Sequence, residues 1–260
     1  MDAMPLKVER QGGVLRLTMN RPDSANALDL AGAQALVDAA LLADEDPSIR
    51  CVVMTGEGRF FCAGGDIAGM AAAAEGHGAY LKRLAGTFHV AVSRLARMTK
   101  PLVTLVNGPA AGAGVSMAAL GDVVLAAQSA HFTMAYGGIG LSPDGGASWL
   151  LPRLIGLRRA QDMALTNRRV SAEEAAQIGL VTRTVADADL AAEGQALVDR
   201  LASGPSPSLG RTRRLLLEGM DRSFEAQMEA ELQSIADCAR SPHGQEGISA
   251  FLEKRKPDYR

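Results

Sequence analysis

Residues 101–117, PLVTLVNGPAAGAGVSM, constrain the fold of this chain more than any other stretch. Leu102 to Val106 is a continuous apolar run, long enough for one buried strand. Asn107, Gly108 and Pro109 turn the chain, and Gly112, Ala113 and Gly114 lead into a helix predicted over Val115 to Leu120. A strand, a glycine-rich turn and a helix start gather unpaired backbone N–H groups at one spot. Only methyls and hydrogens surround that spot, so nothing bulky blocks it. It suits an anion, or an oxyanion that forms during a reaction. Taken alone, the stretch reads equally well as a tight strand-to-helix connection packed against a neighbour.

A chain of 260 residues is long enough for one large domain, or one domain with a helical appendage. Hydrophobic residues make up 47%, much of it alanine, and aromatics only 4%, so the core must rest on small aliphatic packing. The net charge of −2 argues against a nucleic-acid binder that works through bulk charge. No apolar run approaches the ~20 residues needed to span a bilayer. The amino terminus, MDAMPLKVER, lacks an apolar h-region, so no signal peptide is expected. Cys51, Cys62 and Cys238 are scattered and odd in number, which predicts a reducing, cytoplasmic setting without disulfides. His77, His89, His131 and His243 show no metal-ligand spacing, so no metal is expected.

In chain order, Leu6 to Glu9 and Leu15 to Met19 alternate apolar and polar around Gly12 and Gly13, a hairpin pattern. Residues 21–26 form a loop, and a helix is predicted from about Leu30 to Ala43. Arg50 to Thr55 is a buried strand. Ile67 to Ala74 is a short helix, its end frayed by a mobile, alanine- and glycine-rich loop over Ala71 to Gly78. Tyr80 to Met98 is helical, and Lys100-Pro101 ends it. Asp122 to Ala127 and His131 to Met134 are strands, Tyr136 to Gly146 is a loop, and Ala147 to Ile155 and Arg158 to Thr166 are helices. Ser171 and Glu174 form a capping-box pattern at the start of another helix. Leu180 to Val185 is the last strand, and 189–203, 208–219, 223–239 and 244–254 are helical. These patterns predict an α/β core over 1–185 and a helical region over 186–260.

Phe61-Cys62-Ala63-Gly64-Gly65-Asp66 repeats the logic of the opening stretch: a strand, a glycine-rich turn, then a helix start. Two such starts give two backbone donors that can converge on one oxygen, an oxyanion hole. A single glycine-rich turn is a weak signal. The order and spacing of many segments together are specific, and they resemble the enoyl-CoA hydratase/isomerase (crotonase) superfamily. The resemblance begins with Asn20-Arg21-Pro22, Asn26-Ala27-Leu28 and Phe61 through Ile67. It continues through Lys100-Pro101, Asn107-Gly108-Pro109-Ala110, Gly112-Ala113-Gly114 and Asp122. Leu165-Thr166, Ala172-Glu173-Glu174-Ala175, Gly179-Leu180-Val181, Ala250-Phe251 and Glu253-Lys254-Arg255 complete it.

The resemblance implies a crotonase-like spiral of ββα units whose helical C-terminal region serves oligomerisation and pocket closure. A homotrimer or a dimer of trimers is the implied assembly. It implies an acyl-CoA substrate, which itself carries coenzyme A, so no separate cofactor is expected. By position the oxyanion donors are the N–H groups of Gly65 and Ala113, and CoA is expected near Ala25, Ala27, Ala63, Asp66 and Ile67. The run Lys254-Arg255-Lys256 and the cluster Arg211, Arg213 and Arg214 either meet CoA phosphates, in part from a neighbouring subunit, or form solvated faces.

A thioester makes its α-proton acidic only if the enolate oxygen is stabilised; losing one such donor costs ~10²–10³ in rate. Hydratases of the family add two glutamates, which fall here at Ser116 and Tyr136. Serine is no unaided base, and tyrosine ionises only near pH ~10. The replacement candidate is Asp144, in Leu141-Ser142-Pro143-Asp144-Gly145-Gly146. The resemblance places an aspartate there in certain CoA-thioester isomerases and in 4-chlorobenzoyl-CoA dehalogenase. One carboxylate can shuttle a proton between two carbons of a bound enolate, and an apolar pocket raises a carboxyl pKa into the useful range. The alternative for Asp144 is a cap on the following helix. Tyr136 either hydrogen-bonds or lines the acyl pocket. Ser116 reads as a space-filler, His89 as a surface or core histidine beside that pocket, Trp149 as core, and Cys62 as a buried small hydrophobe.

Overall fold

The predicted hairpin forms at the amino-terminal end, where β1 (Leu6–Gln11) pairs antiparallel with β2 (Val14–Met19). The computed structural model describes residues 4–259, so Met1 to Ala3 of the amino-terminal reading lie outside the described residues. From the hairpin, α1 (Leu30–Glu45) carries the chain to β3 (Cys51–Gly56), which lies parallel to β2. A second extended segment, 62–65, precedes α2 (Ile67–Ala71) and α3 (His77–Arg97). The same strand–strand–helix excursion then repeats. β4 (Leu102–Val106) leads to β5 (Ala110–Ala111) and α4 (Ala113–Ala119). β6 (Val123–Ala127) leads to β7 (His131–Thr133), α5 (Ala147–Ile155) and α6 (Leu157–Thr166). β8 (Val170–Ser171), α7 (Ala172–Ile178) and β9 (Arg183–Val185) close the core. The rest is helical: α8 (Leu190–Ala202), α9 (Ser206–Glu218), α10 (Phe224–Arg240) and α11 (Pro242–Leu252).

The first strand of each excursion joins a six-stranded sheet, ordered β1-β2-β3-β4-β6-β9 and parallel beyond the hairpin. All five residues of β4 are buried, which is why it reads as an unbroken apolar run. The second strands build another layer. β7 pairs with β5 and β8, and the bridges Cys62–Ala110 and Leu28–Gly65 extend that layer back to the 25–28 loop. This is the expected spiral of ββα units. Two-residue strands have no alternation to read, so β5 and β8 leave no trace in the periodicity.

Other boundaries shift for local reasons. β9 is shorter than predicted because Leu180 and Val181 donate their N–H groups back to the Ala175 carbonyl at the end of α7. The predicted loop after α2 shrinks to 72–76, and Tyr136–Ile139 forms a 3-10 turn inside the predicted 136–146 loop. The capping box is only half made. Ser171 Oγ accepts from the Glu174 N–H, but the Glu174 carboxylate pairs with Arg168. Trp149 is not core: it is half-buried, with the Arg153 guanidinium 3.9 Å from its ring centre.

Arg213 is neither a solvated residue nor a phosphate ligand. It is buried, with Nε 2.6 Å and 2.7 Å from the two Asp122 carboxylate oxygens. Its other nitrogens donate to the Leu95 and Met98 carbonyls. Asp122 in turn accepts from the Leu102 N–H at 2.7 Å, so this one guanidinium ties α9 to the ends of α3 and β4. Its neighbours Arg211 and Arg214 pair at the surface with Asp237 and Glu218. Removing the guanidinium strands a carboxylate and two carbonyls. Arg213→Ala is therefore expected to lower unfolding stability by roughly 3 kcal/mol, measured by urea denaturation, with KM for a CoA thioester unchanged.

Candidate active site

The two glycine-rich bends lie side by side. The Phe61 and Cys62 N–H groups donate to the Pro109 carbonyl at 3.1 and 3.3 Å, and the Ala111 N–H donates to the Cys62 carbonyl at 2.9 Å. Gly64, at φ +100°, allows the backbones to touch: a Cβ there would sit 3.0 Å from the Ala111 oxygen and 3.5 Å from the Ala113 nitrogen. The residues around Gly65 and Ala113 take up the local pairing. Leu28 N–H donates to Gly64 O at 2.7 Å, Asp66 N–H to Leu28 O at 2.9 Å, and Gly112 N–H to Thr133 O at 3.1 Å. Among the described residues, no partner is found for the N–H of Gly65 or of Ala113. Both residues line one cavity of about 450 Å³, which also contains Leu84, Leu141, Tyr136 and Asp144.

Asp144 is held from several sides. The Tyr136 hydroxyl donates to its Oδ1 at 2.6 Å, while Oδ2 has no partner among the described residues. Its carbonyl accepts from Ser116 Oγ at 3.0 Å and from the Ala147 N–H at 3.1 Å. The N-cap of α5 is Gly146, without a side-chain cap, so Asp144 does not cap the helix. Burial first, and then the neighbouring Asp144 charge, push the Tyr136 phenol well above its ordinary range. Tyr136 therefore stays protonated and donating at neutral pH. Ser116 is fully buried and is more than a filler. The two positions where the resemblance puts glutamates both hold Asp144. His89 was legible only as a bordering histidine; its ring is exposed, and its Nε2 accepts from the Gly145 N–H at 3.0 Å.

The residues expected around CoA divide into four groups. Ala63 and Ile67 line the same cavity. Ala25 and Ala27 lie just behind them, where the Ala63 N–H donates to the Ala25 carbonyl at 3.0 Å. Asp66 starts α2, where its carboxylate accepts from the Gly69 N–H at 3.0 Å and from Arg21 at 2.9 Å. Burial opposes its charge, but these two donors outweigh it and hold the carboxyl below the usual range. Lys254 follows the end of α11 and is not among the cavity-lining residues. Cys62 is fully buried and its thiol is pushed up to about 12 by burial, so it is no nucleophile at neutral pH. Among the described residues, no cluster of histidine, cysteine or carboxylate side chains is arranged to hold a metal ion, and no helix is long and apolar enough to cross a membrane.

This chain belongs to the enoyl-CoA hydratase/isomerase family, whose profile matches residues 9–260. It is 38% identical over 248 residues to the 1,2-epoxyphenylacetyl-CoA isomerase of Escherichia coli (strain K12), covering 95% of each chain. It is 32% identical over 256 residues to 4-chlorobenzoyl coenzyme A dehalogenase-2 of Arthrobacter sp, covering 96% of this chain and 91% of that one. The crystal structure of an enoyl-CoA hydratase from Polaromonas sp. JS666 matches with a TM-score of 0.91 at 34% identity, covering 98% of this chain and 99% of the other. The family processes CoA thioesters, and its named relatives run three different reactions.

Proposed function

We propose that this enzyme is an acyl-CoA isomerase that moves a double bond or a ring bond. The thioester oxygen lies between the N–H groups of Gly65 and Ala113, which stabilise the enolate. Asp144 Oδ2 takes a proton from one carbon, breaking a C–H bond and forming an O–H bond, and returns it to another carbon. No net oxidant or water is consumed. The observation that carries this reading is the Asp144 carboxylate on the wall of the cavity, one oxygen held by Tyr136 and the other unpartnered. Holding Oδ1 fixes the direction of Oδ2, which is what proton transfer at a positioned carbon requires.

Hydration in the family's two-glutamate manner is disfavoured, since Ser116 and Tyr136 occupy those positions and are both engaged with Asp144. Substitution Asp144→Asn is expected to lower kcat on a 3-enoyl-CoA or on ring-1,2-epoxyphenylacetyl-CoA by ~10²–10⁴ while the thioester still binds. Undiminished turnover overturns the role of Asp144. Rapid hydration of crotonyl-CoA points to a hydratase instead, and tight binding without turnover across such a panel points to a binding protein.

We also propose the trimeric assembly, or its dimer. Phe224, Met228, Leu232 and Ile235 recur at helical spacing on α10 and are all at least half exposed, an apolar stripe that an isolated chain leaves in water. Light scattering is expected to give three or six times the 27.2 kDa chain mass; a monomer contradicts it.

A further inference from the structure

We infer that His89 is a positioning residue for Asp144, acting through the peptide group that joins Asp144 to Gly145. This rests on the proton-carrying role proposed for Asp144. The carbonyl of Asp144 and the N–H of Gly145 are the two poles of one peptide unit. Ser116 Oγ, on α4, holds the oxygen pole at 3.0 Å, and His89 Nε2, on α3, holds the N–H pole at 3.0 Å. Two helices thus clamp one peptide plane, and that plane sets ψ of Asp144. Gly145 fits tightly beneath the clamp. It sits at φ +61°, and a Cβ there would lie 2.5 Å from Phe88 Cε1 and 2.9 Å from Ser116 Cβ. Phe88, the residue before His89, is buried in the core, so α3 is anchored where the imidazole reaches the loop.

A backbone N–H can only donate, so Nε2 is the acceptor and the ring carries its proton on Nδ1. His89 does not line the cavity, so it touches no reacting atom and acts only by orientation. Tyr136 fixes one carboxylate oxygen from the front, and the peptide clamp fixes the main chain behind it. Without His89 the peptide is held only at its oxygen pole, by Ser116 and the Ala147 N–H, and Oδ2 shifts from its line to the substrate carbon; displacement by ~1 Å is enough to lose up to about 100-fold in rate.

The test uses the full-length enzyme and the isomerase assay. His89→Leu is expected to lower kcat about tenfold with KM changed less than about twofold. His89→Gln, whose amide oxygen falls where Nε2 was, is expected to recover most of that loss, and His89→Asn, too short, is not. Equal activity in the Leu and Gln variants, or a loss carried by KM, overturns the inference. The wild-type tautomer is read independently by long-range ¹H–¹⁵N NMR. A proton on Nδ1 with a bare Nε2 supports the clamp, and a proton on Nε2 in the neutral ring overturns it even if the Leu variant fails to fold. An inactive Asp144→Asn enzyme beside a fully active His89→Leu enzyme sinks this inference alone, whereas an active Asp144→Asn enzyme sinks the role of Asp144 itself.

Discussion

Backbone contact between residues 62–65 and 110–113 sets the geometry of the site. Segment 110–113 includes the short strand β5, segment 62–65 is joined to its neighbours by isolated bridges, and each feeds a helix. A helix start leaves amides that have no intrahelical acceptor. When two such starts lie against each other, their spare amides line the same cavity. Gly64 permits the close approach, since a Cβ there would press against the Ala111 oxygen. In the proposed reaction a thioester oxygen completes the hydrogen bonding of both amides. Charge that develops on that oxygen then meets donors already in place, at no cost of reorganisation during the reaction.

In the proposed reaction Asp144 supplies the proton transfer that two amides cannot. It is fixed by groups from three parts of the chain: Tyr136 on its carboxylate, Ser116 on its carbonyl and His89 on the next amide. Ser116 and Tyr136, the positions where the resemblance expects glutamates, both hold Asp144 instead. Strands β2, β3, β4 and β6 of the six-stranded sheet are mostly buried and carry these loops. Arg213 does similar work where α9 meets the ends of α3 and β4, and one guanidinium satisfies a carboxylate and two carbonyls.

Much of the architecture was legible because most elements bury one face. The hairpin, α1, α3 and the apolar runs of β3 and β4 show in the periodicity, and the glycine-rich bends show in composition. β5 and β8 do not, since two residues carry no period. Gly65, Ala113 and Asp144 were legible from the family resemblance, and the structure brings them to one cavity. What holds Asp144 was not. His89 lies 56 residues from Gly145 in sequence, and nothing local announces the pairing. Arg213 reads in sequence as part of a cluster that meets CoA phosphates or forms a solvated face, and it does neither. The signal available was its phase: it falls three residues after Gly210 on α9, and these two are the helix's buried positions. Charge runs say what a segment contains, whereas helical phase says which member turns inward.

The most direct measurement is a crystal structure with a bound CoA thioester that mimics the enolate. The account predicts the thioester oxygen at about 2.7–3.1 Å from the nitrogens of both Gly65 and Ala113, with Asp144 Oδ2 facing the α-carbon. A thioester oxygen bound to neither amide, or an Asp144 carboxylate turned out of the cavity, contradicts it.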